Sequence, residues 1–200
     1  MLSLPRRWES IEIYYMSVPE HLQDSQKLIS DKGFAIGSTW YHGTSSALVG
    51  SITQNGLKRS GDKALTQAAK QTMATIGNDY TESIEPVFLT QSKELAYFWA
   101  QQTVHERSMR FETDELPVVL AVNLPAELAS DLKTDVGAAS LLMTQKGEAY
   151  MAFVVSLYEK AGVKVPDVDL MNADRMAYLN QLGMAYYNKD ISAEYIEQLK

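Results

Sequence analysis

Cysteine is absent from the 200 residues, which excludes disulfides, thiolate zinc sites and a cysteine nucleophile. No apolar run approaches the roughly 20 residues needed to cross a bilayer, so a membrane-spanning chain is not expected. The opening Met-Leu-Ser-Leu-Pro-Arg-Arg-Trp lacks the apolar centre of an export signal. Together with the missing cysteines, this points to residence in the cytoplasm or delivery into a host cytoplasm. Cations are scarce as well: 18 Lys and Arg stand against 25 Asp and Glu, for a net charge of −7. Such a chain is not a general binder of phosphate backbones, a role that needs clustered Lys and Arg. Internal repeats, low-complexity tracts and linkers are lacking, which argues for a single domain. What is present is 46% apolar and 22% charged, ordinary for a globular chain that buries its own core.

Residues 1–37 read as a helical arm or first layer, with Trp8, Ile11, Tyr14 and Tyr15 at helical spacing and a second short helix around Leu22–Ile29. Ser38 to His42 favours a strand, because Thr39, Trp40 and Tyr41 prefer extended geometry. Ser45 or Ser46 then caps a helix that runs to about Gln54 and leaves through Asn55-Gly56. A helix near Leu65–Thr75 is followed by the strand Val87–Thr90, and Ser92 caps a helix carrying Leu95, Ala96, Trp99 and Ala100. Leu116–Leu124 is nearly all apolar, as a central strand is. Helices are expected at 148–161 and 172–182, a last strand at 184–191 and a final helical turn at 192–199. The pattern implies an α+β fold. One cationic stretch stands out: Lys58, Arg59, Lys63 and Lys70, opposed locally by Asp62 alone.

Three segments become informative together. The first is Trp40-Tyr41-His42-Gly43-Thr44 with the downstream Ile52…Gly56-Leu57, and the second is Val87-Phe88-Leu89-Thr90 with Ala96-Tyr97-Phe98-Trp99-Ala100. The third is Asp190-Ile191-Ser192-Ala193-Glu194-Tyr195-Ile196. In combination they resemble the NAD-dependent ADP-ribosyltransferase superfamily, in its His-Tyr-Glu branch of diphtheria-type toxins and poly(ADP-ribose) polymerases. The likeness spans roughly residues 38–125 and 183–200, and the stretch near 140–182 reads as a helical insertion.

The resemblance implies a split, mostly antiparallel sheet flanked by helices, with NAD as co-substrate. It implies that His42 bonds a ribose hydroxyl and that the Gly43 backbone holds the carboxamide, with Thr44 beside it. Glycine suits a place where backbone comes close to a ligand. Phe88 and Trp99 fall where the branch has tyrosines, and a shift of one or two residues uses Tyr97 instead. A flat ring needs only its π-face to stack on nicotinamide. The branch carries a glutamate at the start of the last strand, but Asn180–Tyr187 contains no acid, and Gln181 offers that place a hydrogen bond without charge. Glu148 fills the role only if the chain folds that way, against the helical periodicity of 149–157, and Glu194, in the helical turn after the strand, reads as a surface residue. Arg59, with Lys58 and Lys63, is placed toward the NAD pyrophosphate or an acidic substrate.

The implied activity is mono-ADP-ribosyl transfer to a protein or nucleic-acid acceptor, as in toxins, effectors and phage-defence factors, with an inhibitor or antitoxin as a further partner. An inactive module on the same scaffold, binding NAD, ADP-ribose or RNA, is the alternative. An RNA 2′-phosphotransferase has a similar opening but needs further His and Arg residues, and His21 and His105 stand in the wrong contexts.

Overall fold

The computed structural model describes residues 17–75, 85–134, 145–165 and 180–199. Its architecture is α+β: an antiparallel sheet with helices on both faces. A short lead-in comes first, with a 3-10 turn at Glu20–Leu22, α1 (Ser25–Leu28) and a hairpin of β1 (Ile29–Ser30) and β2 (Gly33–Phe34). The main body follows as β3 (Thr39–Ser45), α2 (Ser46–Asn55), α3 (Lys63–Thr75), β4 (Val87–Thr90), α4 (Lys93–Phe111) and β5 (Pro117–Asn123). It continues with α5 (Ala126–Ala129), β6 (Lys133–Thr134), α6 (Gln145–Ala161), β7 (Met184–Tyr187), a 3-10 turn at Ala193–Tyr195 and β8 (Ile196–Gln198). Six strands form one sheet in the order β6-β7-β4-β3-β5-β8.

The local signals explain most boundaries. Ser45 caps α2 by accepting from the Ala47 amide, and Gly56, at φ +79°, closes it with its own amide on the Ile52 carbonyl. Such a left-handed exit strongly favours glycine. At α4 the Ser92 hydroxyl accepts from the amides of Glu94 and Leu95, while the Asp24 carboxylate accepts from Lys93 and from the Ser92 hydroxyl. The buried Glu94 in turn accepts from the Ser25 amide, which pins the lead-in to the helix start.

Alternation along the strands feeds two cores. Trp40, Val87, Leu89, Val122, Ala185 and Tyr187 pack on one face with Leu57 and Ile191, closed by Ile52 of α2 and Leu128 of α5. On the other, Leu95 and Phe98 of α4 meet Tyr150, Val154, Leu157 and Tyr158 of α6, together with Ile29, Phe34 and Met184. Each fully buried leucine or aromatic here contributes roughly 1.5–3 kcal/mol.

Several expectations change. The C-terminal segment is a single 3-10 turn that hands over to β8, because β5 offers an unpaired edge and residues 196–198 add a ladder to it. Expected as part of a short helix, Ile29 instead begins the β1–β2 hairpin. The last strand stops at Tyr187, and α4 runs on to Phe111. The helix expected around Trp8–Tyr15 lies outside the described residues, as does that at 172–182 apart from its helical end, 180–182. No helix among the described residues is long and apolar enough to cross a membrane.

Candidate functional site

β3 pairs with β5 along its whole length, from Thr39↔Asn123 to Ser45↔Pro117. With β4 it shares one register pair, Tyr41↔Thr90. Beyond that pair the sheet opens, and strand edges that would bond each other turn main-chain donors and acceptors toward the gap. His42 sits at the opening. Its Nδ1 lies 2.9 Å from the Phe88 carbonyl oxygen, so the side chain replaces a rung of the missing ladder. Because a carbonyl only accepts, Nδ1 carries the proton and Nε2 is left as an acceptor. Burial lowers the His42 pKa below its ordinary 6.5, against an opposing pull from the Phe88 carbonyl. The imidazole is therefore neutral at pH 7.

A cavity of about 430 Å³ occupies the split. Its walls are His42, Gly43 and Thr44 of β3, Ser51 and Ile52 of α2, Val87 and Phe88 of β4, and Thr103, Glu106 and Arg110 of α4. Lys58, Asp62 and Glu85 complete the rim. Phe88 keeps 38% of its surface exposed, unusual for a strand aromatic beside a core. The size matches a small-molecule site. Among the described residues no group of His, Asp and Glu is arranged to hold a metal ion.

The structure brings together His42, Gly43, Thr44 and Phe88, with Lys58 and the Ile52…Gly56-Leu57 exit on the same cavity. The reason for glycine at 43 is different from the one expected. A Cβ there would lie 1.9 Å from the Ala96 carbonyl oxygen and 2.6 Å from the Ala100 amide nitrogen, so the glycine admits α4 against β3. The motifs also meet each other. Leu57 and Ile191 exchange two backbone hydrogen bonds of 2.9 and 2.8 Å, and the Asp190 carboxylate accepts from the Arg59 amide at 3.0 Å and pairs with Lys58 at 3.2 Å.

Three candidates stand apart from the cavity. Tyr97 is buried on the β5 side among Leu22, Ala96 and Val119. Trp99 heads the same helical stripe as Thr103, Glu106 and Arg110, but α6 covers it: the Tyr150 ring centroid is 5.1 Å away. Gln181 sits under Tyr158, whose hydroxyl donates to the Gln181 backbone carbonyl. Trp99 Nε1 and Gln181 Oε1 are buried without a hydrogen-bond partner among the described residues. Arg59 lines a second groove next to the cavity rather than the cavity itself, while Lys58 lines the cavity. Glu148 and Glu194 are exposed and elsewhere, and the exposed His21 and His105 are likewise absent from the walls.

The sequence reading missed the carboxylates that do line the cavity, Asp62, Glu85 and Glu106. Asp62 is committed: its Oδ2 pairs with Arg107 at 2.5 Å and its Oδ1 accepts from the Leu65 amide at the start of α3. Arg107 also grips Glu115 through Nε at 2.6 Å and Nη2 at 3.1 Å, and the Ser45 hydroxyl donates to the same carboxylate. This pairing holds the Glu115 pKa down to about 2 and ties the cavity rim to β3, α3, α4 and the approach to β5. The signal for Glu106 was its 3–4-residue spacing from Thr103 and Arg110, which marks one helix face. Comparison of the chain with protein-family models, with curated proteins and with solved structures finds no match.

Proposed function

We propose that the opening between β3 and β4 binds NAD and breaks its nicotinamide–ribose bond, passing ADP-ribose to a macromolecular acceptor. One observation carries the reading: a neutral histidine, its tautomer fixed by the Phe88 carbonyl, stands where an antiparallel sheet splits around a cavity bearing an exposed aromatic ring. Nε2 of His42 accepts from a ribose hydroxyl and orients the sugar. Phe88 stacks on the nicotinamide ring, and the opened strand edges at Gly43 and Thr44 hold the carboxamide. The nicotinamide of NAD is already cationic, so it leaves as a neutral molecule with the bonding pair and needs no general acid. C1′ is left with oxocarbenium character, the acceptor nucleophile attacks it with a lone pair, and the acceptor then loses its proton. An anion beside C1′ favours this transition state. Glu106, on the α4 face that Thr103 and Arg110 share along the cavity wall, is the carboxylate assigned to that role.

The second reading, a module that binds NAD, ADP-ribose or RNA without turnover, is favoured by the burial of Tyr97, Trp99 and Gln181 away from the cavity. Incubation with labelled NAD separates the two. Transfer of label or release of nicotinamide, reduced at least 100-fold by His42→Ala and at least tenfold by Glu106→Gln, supports the enzyme. Saturable NAD binding with neither product supports the module, and absence of both binding and turnover overturns the assignment.

A further inference from the structure

Next to the cavity lies a second concavity of about 400 Å³, lined by Arg59, Ser60, Lys63, Thr66, Lys70 and the Asp190 carboxylate, with Gln67 between the lysines. We propose that this groove holds the phosphates of a nucleic-acid strand, the acceptor of the ADP-ribosyl group; the acceptor role, though not the binding, rests on the function proposed above. Among the described residues, three cations and one carboxylate line it, in a chain whose overall charge is −7. That carboxylate is already engaged by Lys58 and the Arg59 amide, so it does little to neutralise the groove.

Placement of the lysines points the same way. Lys63 opens α3, a 13-residue helix whose N-terminus the Asp62 carboxylate caps by accepting from the Leu65 amide. Lys63, Gln67 and Lys70 follow at one-turn intervals on a single face, and seven residues rise about 10.5 Å. At about 3.4 Å of rise per nucleotide, that length covers about three phosphate intervals.

Every described side chain lining the groove is polar. Phosphate and sugar are read by Arg, Lys, Ser, Thr and Gln, whereas a protein partner is anchored mostly on Trp, Tyr and Arg; of these the described residues of the groove offer Arg59 alone. It shares Ser60 and Thr66 with the cavity, so a strand held there brings a terminal or unstacked base to the reacting centre. The dinucleotide's own phosphates have Arg110 within the cavity.

The test uses the full chain and a fluorescent 12-nucleotide single strand without NAD, followed by anisotropy from 50 to 300 mM salt. About three cations predict a log–log salt slope near −2. Lys63→Glu/Lys70→Glu should weaken this binding at least tenfold and leave calorimetric affinity for ADP-ribose unchanged; Lys63→Ala, a milder change at an exposed site, should weaken it two- to fivefold. The proposal is overturned by no binding of the strand, by equal binding of the variants, or by loss of ADP-ribose affinity instead, which would give the groove to the dinucleotide. Displacement of the strand by poly-glutamate at equal charge concentration would also overturn it, in favour of an acidic protein. Strand binding without any NAD turnover leaves the groove standing and removes the function proposed for the cavity.

Discussion

Arg107→Met probes the clamp that shapes the cavity rim. In the wild type the guanidinium side chain is 8% exposed and joins Asp62, at 18%, to Glu115, at 5%. The substitution keeps the stem's packing and leaves two shielded carboxylates without a counter-charge. Breaking a buried pair by deleting one partner costs roughly 3–5 kcal/mol. Asp62 retains contact with water and its bond to the Leu65 amide, so the lower end, about 3 kcal/mol, applies. For a chain of this size that lowers Tm by about 6–12 °C. Thermal unfolding followed by circular dichroism at pH 7 gives the number directly. The pH dependence supplies an internal check. Glu115 is depressed in the folded state, so its contribution is full above the ordinary 4.5 and is lost as pH falls toward about 2. That acid-side loss amounts to at most about 3 kcal/mol before solvent screening, and it should flatten in Arg107→Met. Adding Glu115→Gln to the variant should recover part of the Tm. A loss below about 4 °C, abolished by 0.5 M salt, would mark an ordinary surface pair and refute the reasoning.

Other outcomes follow from single contacts. Gly43→Ala should cost about 3 kcal/mol or more, because a methyl 1.9 Å from the Ala96 carbonyl forces α4 off β3; chemical denaturation measures it, and a change under 1 kcal/mol would contradict that packing. Gly56→Ala should lose at least about 1 kcal/mol from its positive φ alone, with further loss from the Ile191 carbonyl 2.0 Å from the new Cβ. Phe88→Ala should weaken NAD binding roughly tenfold with little change in Tm, given its exposure, while Phe88→Tyr should bind as wild type; calorimetry and unfolding together decide it. Because the folded pKa of His42 is depressed, its neutral form and the associated stability are full above 6.5 and decline as pH falls through the lowered value. NAD affinity should be flat from pH 7 to 8 and fall in acid, and a His42→Gln variant should lose that dependence.

Where the chain announced its own structure, it did so through short-range chemistry. The strand at Thr39–Tyr41, the Ser45 and Ser92 caps and the Gly56 exit depend on neighbours a turn away, and each was legible. The β1–β2 hairpin, β6 and β8 are two or three residues each and exist because an edge or a core stands ready for them, so no local pattern foretold them. In the site, His42, Gly43, Thr44 and Phe88 lie on adjacent strands whose order sets their proximity. The rotational phase of α4 depends on α6, a helix distant in sequence whose Tyr150 and Phe153 pack beside Phe98 and Trp99. A sequence alignment could therefore supply Tyr97 or Trp99 as an aromatic platform without registering that the core had already taken them. Gln181 was misplaced for a similar reason, since Tyr158 of the same helix lies over it.

The most direct measurement follows the imidazole resonances of the three histidines while NAD is added. A saturable shift of the His42 ring alone, strongest at Nε2, with His21 and His105 unmoved, is the predicted result. Three unperturbed rings at millimolar NAD, or a uniform drift of all three, would contradict it.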